Sequence, residues 1–340
     1  MPIVVVVPNA AVSAKALAEA TTKLRFIVNL TDPVFRGIHR GNRKHDDDIL
    51  EVLKRSQAAG VKSMIITGGS LHESSEALRL AKQFQLYATV GCHPTRSSEF
   101  EKFKAGPDAY LAELDKLISQ NLKGKGRVVA VGECGLDYDR THFATPDVQQ
   151  KYFRMQLSLA KKYHLPLFLH SRAAHADFVR ILREEGFGED GGRKLGANGG
   201  VVHSFTGLIS EVEELMEMGF DIGVNGCSLK TQENLDAAKT IRPERIMFET
   251  DAPWCTLTST HASKAHLNSL PSFMNSLYFP PAKRPEQFVT GQAVKGRNEP
   301  CAIGGVAWVI HKLHDVPFEK VAEKAWKNTV ALFGLEELNE

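Results

Sequence analysis

The chain has no apolar run approaching the ~20 residues that a membrane-spanning helix needs, so no transmembrane segment is expected. Its 340 residues include five cysteines, none spaced as C-x-x-C. That argues against a zinc ribbon or a disulfide framework. The odd count suits a reducing compartment, so an intracellular, cytoplasmic or nuclear, location is expected. Charge is nearly balanced, 42 basic against 40 acidic residues for a net +2. Such a balance does not announce nucleic acid by itself, though it leaves room for a local basic patch. The opening MPIVVVVPNAAV has a short apolar core with no basic stretch before it, and no arginine precedes Arg25. Neither a signal nor a transit peptide is expected, and residues 1–23 are set apart as an extension of unknown role. No internal repeat, low-complexity segment or obligate protein partner is evident.

What remains is an ordinary globular composition, 43% hydrophobic and 24% charged, with a regular alternation. Strand-like segments occupy 24–30, 61–69, 86–94, 127–135, 166–172, 200–207, 220–226 and 245–254. Helical stretches separate them. In the clearest, Thr145 suits a cap, Pro146 the first helical position, and Val148, Tyr152, Met155 and Leu159 form a stripe. Before the third strand, Ala77, Leu80, Ala81 and Phe84 do the same. Eight strands alternating with helices predict a parallel sheet, and eight units favour an α/β fold closed as a (β/α)8 TIM barrel over residues 24–340. A doubly wound open sheet is second choice, because no Gly-rich phosphate turn follows the first strand. The segment from about Ala252 to Glu299 is expected to be a long irregular loop, either functional or disordered.

The stretch Arg127–Asp139, RVVAVGECGLDYD, organises the reading. Four apolar residues suit a strand buried on both faces. Gly132 then ends it, and Glu133 arrives where the chain leaves the core. A carboxylate there needs a partner or a cation; one Glu alone reads most simply as a cap or an ion pair. The same event recurs, however, with His170, His203 and Asp251, each following a different strand, and His93 follows the third. In a parallel barrel these ends converge on one face, the face that carries the active site. Imidazole and carboxylate together suit Zn²⁺, Mn²⁺ or similar ions in an open, water-accessible site.

Several motifs in order, NLTDPVFRG (29–37), TVGCHPTR (89–96), GECGLDYDR (132–140), FLHSR (168–172), VVHSFTG (201–207), NGCSLK (225–230), ETDAPW (249–254) and RNEP (297–300), carry a resemblance over about 26–333. The chain resembles the TatD family of metal-dependent deoxyribonucleases, particularly its eukaryotic branch. The resemblance implies a TIM barrel of the metal-dependent hydrolase (amidohydrolase) superfamily that hydrolyses phosphodiesters in DNA, often from the 3′ end. It places the metal ligands on Glu133, His170, His203 and Asp251. Many relatives carry His-x-His at the end of strand one; here Ile27-Val28-Asn29 stands there, as in the branch resembled. Arg25 replaces that branch's usual Asp. With no imidazole at that strand, one or two divalent ions are expected, Mg²⁺ or Mn²⁺ ahead of Zn²⁺.

Glu133, Asp251 and His93 are the expected catalytic groups, with Asp251 both ligand and proton acceptor. For substrate, Arg172 and Lys230 are candidate phosphate contacts, and Trp254 a base-stacking platform. The plainer alternatives are a surface ion pair, a helix-start lysine and a loop wedge. The basic segment 283–297 is a further phosphate candidate. His175 reads as a substrate or supporting contact, or simply as the first turn of a helix. Cys92, Cys134, Cys227 and Cys255 read as small rim packers. Other expectations compatible with the same site are an amidohydrolase, an aminoacyl-tRNA deacylase, or a DNA-binding protein without catalysis.

Overall fold

The computed structural model describes residues 24–335, the first four of them through their backbone alone. The expected extension over residues 1–23, and the side chains of Arg25 and Ile27, lie outside the described residues. Parallel strands β1 (Leu24–Val28), β2 (Val61–Ile66), β3 (Tyr87–Val90), β4 (Val128–Asp137), β5 (Leu167–Arg172), β6 (Gly200–Val202), β7 (Asp221–Val224) and β8 (Ile246–Phe248) form one sheet whose order follows the chain. Every neighbouring pair is parallel. Most strands are shorter than the apolar runs suggest, because each run continues into the turn beyond its last ladder bond.

Helices α1 (Ile49–Ala58), α2 (Leu71–Phe84), α3 (Pro107–Asn121), α4 (Pro146–Tyr163), α5 (His175–Glu184), α6 (Ile209–Glu217) and α7 (Gln232–Thr240) lie between strands, and α8 (Ile303–His314) and α9 (Phe318–Phe333) follow the last. Strands covered by helices on one side and by each other's side chains on the other are buried on both faces, and every residue of β4 is buried. The sheet is curled and TIM-barrel-like. The Asn29 N–H donates to the Ala252 carbonyl at 2.9 Å, joining the segments that follow the first and last strands.

The two ends of the sheet differ. Ile65, Tyr87, Val129, Phe168, Val201 and Met247, one from each of six strands, cluster with Leu332, Phe333 and Leu335 from the end of α9. This apolar plug seals one end, and the other opens to solvent. On α4 the buried stripe is Tyr152, Phe153, Gln156, Leu157, Leu159 and Ala160, so Val148 and Met155 flank it instead of forming it. The reason is polar: Gln149 and Gln156 are buried to bond the backbone of Asp137 and Cys92. The segment 252–299 is ordered. It contains two short helices, Lys264–Leu267 and Ser272–Tyr278, and packs Met274 and Tyr278 into the core.

Candidate metal-binding active site

At the open end lies a cavity of about 800 Å³ lined by Asn29, His93, Glu133, His170, His203 and Asp251, with Asp137, Arg172 and Trp254 at its wall and rim. Glu133 lies inside β4 and not past its end, because Gly132 bends the strand without ending it and pairing continues to Asp137. The β4–β5 register shifts between Val131 and Cys134, and Gly132 holds φ +140 where a Cβ would meet the Phe168 carbonyl oxygen. Such a bulge re-aims the next side chain, here into the cavity.

The donor atoms converge on Glu133 Oε1. His203 Nε2 lies 2.7 Å from it, His170 Nδ1 2.9 Å and His93 Nε2 3.4 Å. His170 Nδ1 and His203 Nε2 are 3.2 Å apart. Ligands about 2.1 Å from a four-coordinate ion stand roughly 3.4 Å from one another, so this cluster has the spacing of a ligand set. Its chemistry fits too, because no lysine or arginine among the described residues pairs with this buried carboxylate, which only imidazoles face. Asp251 completes the wall. Its Oδ1 accepts from Asn29 Nδ2 at 2.8 Å, and its backbone holds φ 53 in the turn after β8.

The third imidazole differs from the other two. The donor atoms of His93, Glu133 and His170 all fall within 4.8 Å of one another, yet His93 Nδ1 accepts from the Thr95 N–H at 3.2 Å. The ring proton is thereby placed on Nε2, facing Glu133. In that tautomer His93 is a donor and not a ligand. Burial lowers its pKa to about 3, keeping it neutral. Burial likewise pushes the Asp251 carboxyl up to about 7, against the pull of His203. For His203, burial is outweighed by the charges of Glu133 and Glu249, and its pKa is raised.

The rim corrects several expectations. Arg172 lines the cavity, bonded to Asp139 Oδ2 at 2.7 Å while half-exposed. Trp254 projects beside it, 58% exposed. Lys230 does not line the cavity: it is exposed, and its carbonyl accepts from the Ala262 N–H as the chain turns away. His175 is bonded to Glu214 at 2.7 Å, away from the cavity. Lys283, Arg284 and Lys295 are exposed elsewhere, and Arg297 is buried. Cys227 and Cys255 are not packers; they are disulfide-paired at the mouth, with Cα atoms 5.0 Å apart across 28 residues. Adjacent strands β7 and β8 bring their following turns together, a proximity that spacing cannot reveal. Cys92 and Cys134 are buried.

Sequence reasoning missed Asp137, Glu249, Arg96 and Arg140. Asp137 Oδ2 lies 3.5 Å from His170 Nε2, and Glu249 Oε2 lies 3.4 Å from His203 Nδ1. A signal existed for both: Asp137 shares β4 with Glu133, and Glu249 stands two residues before Asp251. Arg96 and Arg140 line the cavity while more than half exposed.

The model of the family described as TatD related DNase matches residues 36–334. The chain is 44% identical over 305 residues to the deoxyribonuclease Tat-D of Schizosaccharomyces pombe, covering 89% of this chain and 93% of that one. It is 33% identical over 304 residues to the 3′-5′ ssDNA/RNA exonuclease TatD of Erwinia amylovora, covering 88% and 98%. Among solved structures, an uncharacterized amidohydrolase from Saccharomyces cerevisiae superposes with TM-score 0.83 at 33% identity, covering 92% and 100%. A TatD family hydrolase from Entamoeba histolytica gives 0.81 at 31%, covering 92% and 98%.

Proposed function

The chain belongs to the TatD-related DNase family and is a metal-dependent hydrolase of DNA, and from that premise we propose that Glu133, His170, His203 and Asp251 hold its ion and that Asp251 also accepts the proton of the attacking water. The observation that carries this reading is the approach of His203 Nε2 and His170 Nδ1 to one oxygen of Glu133 at the open end of the parallel strands. The wider reading is of a closed (β/α)8 barrel of the amidohydrolase superfamily over residues 24–340, releasing nucleotides from the 3′ end. A divalent ion held there would supply a Lewis acid that lowers the pKa of a bound water below the roughly 15.7 of bulk water. Mg²⁺ or Mn²⁺ suits the site better than Zn²⁺, because no imidazole comes from the turn after β1 and Asn29 spends its amide on Asp251.

The chain's own groups do the rest. Asp251 commits Oδ1 to Asn29 Nδ2 and offers a second carboxylate oxygen that can take the proton of the attacking water. Asn29 fixes its direction. His93 turns an N–H toward the reacting face, where a phosphoryl oxygen in place of Glu133 Oε1 would receive it. Arg96 and Arg140, on the turns after β3 and β4, and Arg172, the last residue of β5, form a half-exposed basic rim. Trp254 stands on the turn after β8. A single strand laid across the mouth would set its phosphates on the arginines and one base on the indole, a stack worth ~1–3 kcal/mol.

The test uses single-stranded DNA labelled at either end, with Mg²⁺ or Mn²⁺ and with chelator. The 5′-labelled strand should shorten progressively, and chelator should stop it. Added salt should weaken DNA binding, and each of Arg96→Gln, Arg140→Gln and Arg172→Gln should shallow the log–log slope by about 0.7. Lys230→Gln should leave it unchanged. Intact DNA alongside hydrolysis of an amide or an aminoacyl ester would replace this reading with the deacylase one.

A further inference from the structure

Two of the three imidazoles that face Glu133 turn their other nitrogen to separate buried carboxylates. His170 presents Nδ1 to the cavity and Nε2 to Asp137 Oδ2 at 3.5 Å; His203 presents Nε2 to the cavity and Nδ1 to Glu249 Oε2 at 3.4 Å. Asp137 and Glu249 are each only 1% exposed. Neither is placed by an arginine from the core. Arg140 reaches Asp137 at 3.6 Å from a mostly exposed position. No lysine or arginine among the described residues pairs with Glu249.

We propose that Asp137 and Glu249 are positioning residues that fix which nitrogen of His170 and of His203 carries the proton, so that a lone pair points into the cavity from both rings. The inference rests on the metal-site reading above and adds two residues to it. A carboxylate is an acceptor only. In the ion-free structure the cavity-side nitrogens face Glu133 Oε1 at 2.9 Å in His170 and 2.7 Å in His203, so it is once an ion takes those lone pairs that the nitrogen turned to Asp137 or Glu249 would be held as N–H. That accounts for the use of Nδ1 by one ring and Nε2 by the other: the proton-bearing side is whichever side the carboxylate occupies.

The second oxygen of each carboxylate makes the idea sharp. Asp137 Oδ1 already accepts from the Asp139 N–H at 3.1 Å, and Glu249 Oε1 accepts from the Ser204 N–H. An amide of the same shape must keep its carbonyl oxygen on that backbone N–H. Its NH2 is then forced against the imidazole. A donor facing the ring favours the opposite tautomer, with N–H aimed into the cavity where the ion should sit. Glu249→Gln and Asp137→Asn should therefore damage ion binding despite preserving volume. Glu249→Ala and Asp137→Ala leave the ring free to choose. If these carboxylates only packed or bonded structurally, the alanines would be the worse pair.

The experiment is Mn²⁺ titration of the purified full chain followed by electron paramagnetic resonance, with thermal melts of the metal-free protein as the check on folding. Each amide variant is expected to bind Mn²⁺ about 10–100-fold more weakly than wild type, and at least as weakly as its alanine counterpart. Amide variants that bind as wild type, or that bind better than the alanines, overturn the proposal. Because the readout is ion affinity, a protein that binds Mn²⁺ in this rank order but leaves DNA intact would fail the nuclease reading while sustaining this one. Wild-type protein that binds no Mn²⁺ would overturn the site itself.

Discussion

Two clusters of buried carboxylates lie in this molecule, and they are balanced in opposite ways. In one, Asp48 and Glu299 meet two arginines. Arg297 donates to both oxygens of Asp48, each at 2.6 Å, and to Glu299 at 2.8 Å. Arg55 donates to both oxygens of Glu299, at 2.7 and 3.0 Å. Two fixed cations answer two anions, and the Arg297 guanidinium also sits 5.2 Å over the Phe35 ring. In the other, Glu133, Asp137, Glu249 and Asp251 face three imidazoles. Among the described residues, no lysine or arginine pairs with Glu133, Glu249 or Asp251. The first cluster is balanced in charge without a ligand. The second carries a deficit of positive charge that a divalent ion would fill, which separates a structural clasp from a site although both are buried and hydrogen-bonded.

The comparison breaks most visibly in what mutation removes. Asp251→Asn takes away a ligand and a proton acceptor from a cluster already too negative. Cleavage should fall by ~10²–10⁴ or more, while the melting temperature of the metal-free protein stays level or rises, as is common where a site is built at the expense of stability. Wild-type nuclease rates in the purified variant would end the assignment. Arg297→Met does the reverse. It leaves Asp48 without its bidentate partner and Glu299 short of one donor, which for buried pairs costs about 3–5 kcal/mol. Urea unfolding should report that loss, with cleavage per folded molecule kept within tenfold. A change under 1 kcal/mol would mean the clasp is no clasp.

What the sequence made legible follows the same division. Glu133, His170, His203 and Asp251 could be read because each ends an apolar run, and parallel strands carry such ends to one face. His93 was placed by the same logic. Only the local part of the clasp is legible: Arg297 and Glu299, two residues apart, suit a pair, and they form one at 2.8 Å. The long-range part is not, since Asp48 and Arg297 are 249 residues apart, and a charged residue at a helix start looks like any solvated one. Asp137 and Glu249 were hidden beside more conspicuous neighbours. Lys230 shows the limit of reasoning by strand ends, since it follows β7 yet belongs to a turn that heads outward. Segment 252–299 reads as irregular by composition. It is ordered because the clasp holds its far end, and because Asn298 donates to the carbonyls of Thr250 and Trp254 on either side of Asp251.

A smaller effect measures the charge deficit directly. An ion that binds the folded site alone stabilises by about 2.7 kcal/mol at a hundred times its dissociation constant. Mn²⁺ or Mg²⁺ should therefore raise the melting temperature of wild type and of a clasp variant alike, and chelator should return both without unfolding them. Asp251→Asn should lose most of the increment. Freshly purified protein should carry fewer than two ions per chain by elemental analysis. Two firmly held zinc ions, with full activity and no added metal, would contradict the loosely held site.

Asp221 lies between the two extremes and grades the comparison. It begins β7, is 6% exposed, and has a single imperfect partner, Arg245, whose Nη1 stands 3.4 Å from Oδ1. One arginine at that distance does not offset desolvation, so burial pushes the carboxyl up to about 6 from an ordinary value near 3.8. The sign of the consequence follows. Between about pH 4 and 6 the folded chain keeps a proton that the unfolded chain has released, so stability from this group is present below that window and lost as pH rises through it. A shift of about two units corresponds to roughly 3 kcal/mol at most; with Arg245 able to move closer, about 1–3 kcal/mol is expected. Asp221→Asn has no such proton to lose. The difference in unfolding free energy between variant and wild type, measured in urea at pH 4, 5, 6 and 7, should therefore shift in the variant's favour across the window and then level off. A flat difference would place Asp221 with the clasp, fully answered by its arginine. A rise continuing well beyond pH 6 would place it nearer the site, among carboxylates whose charge the fold alone does not balance.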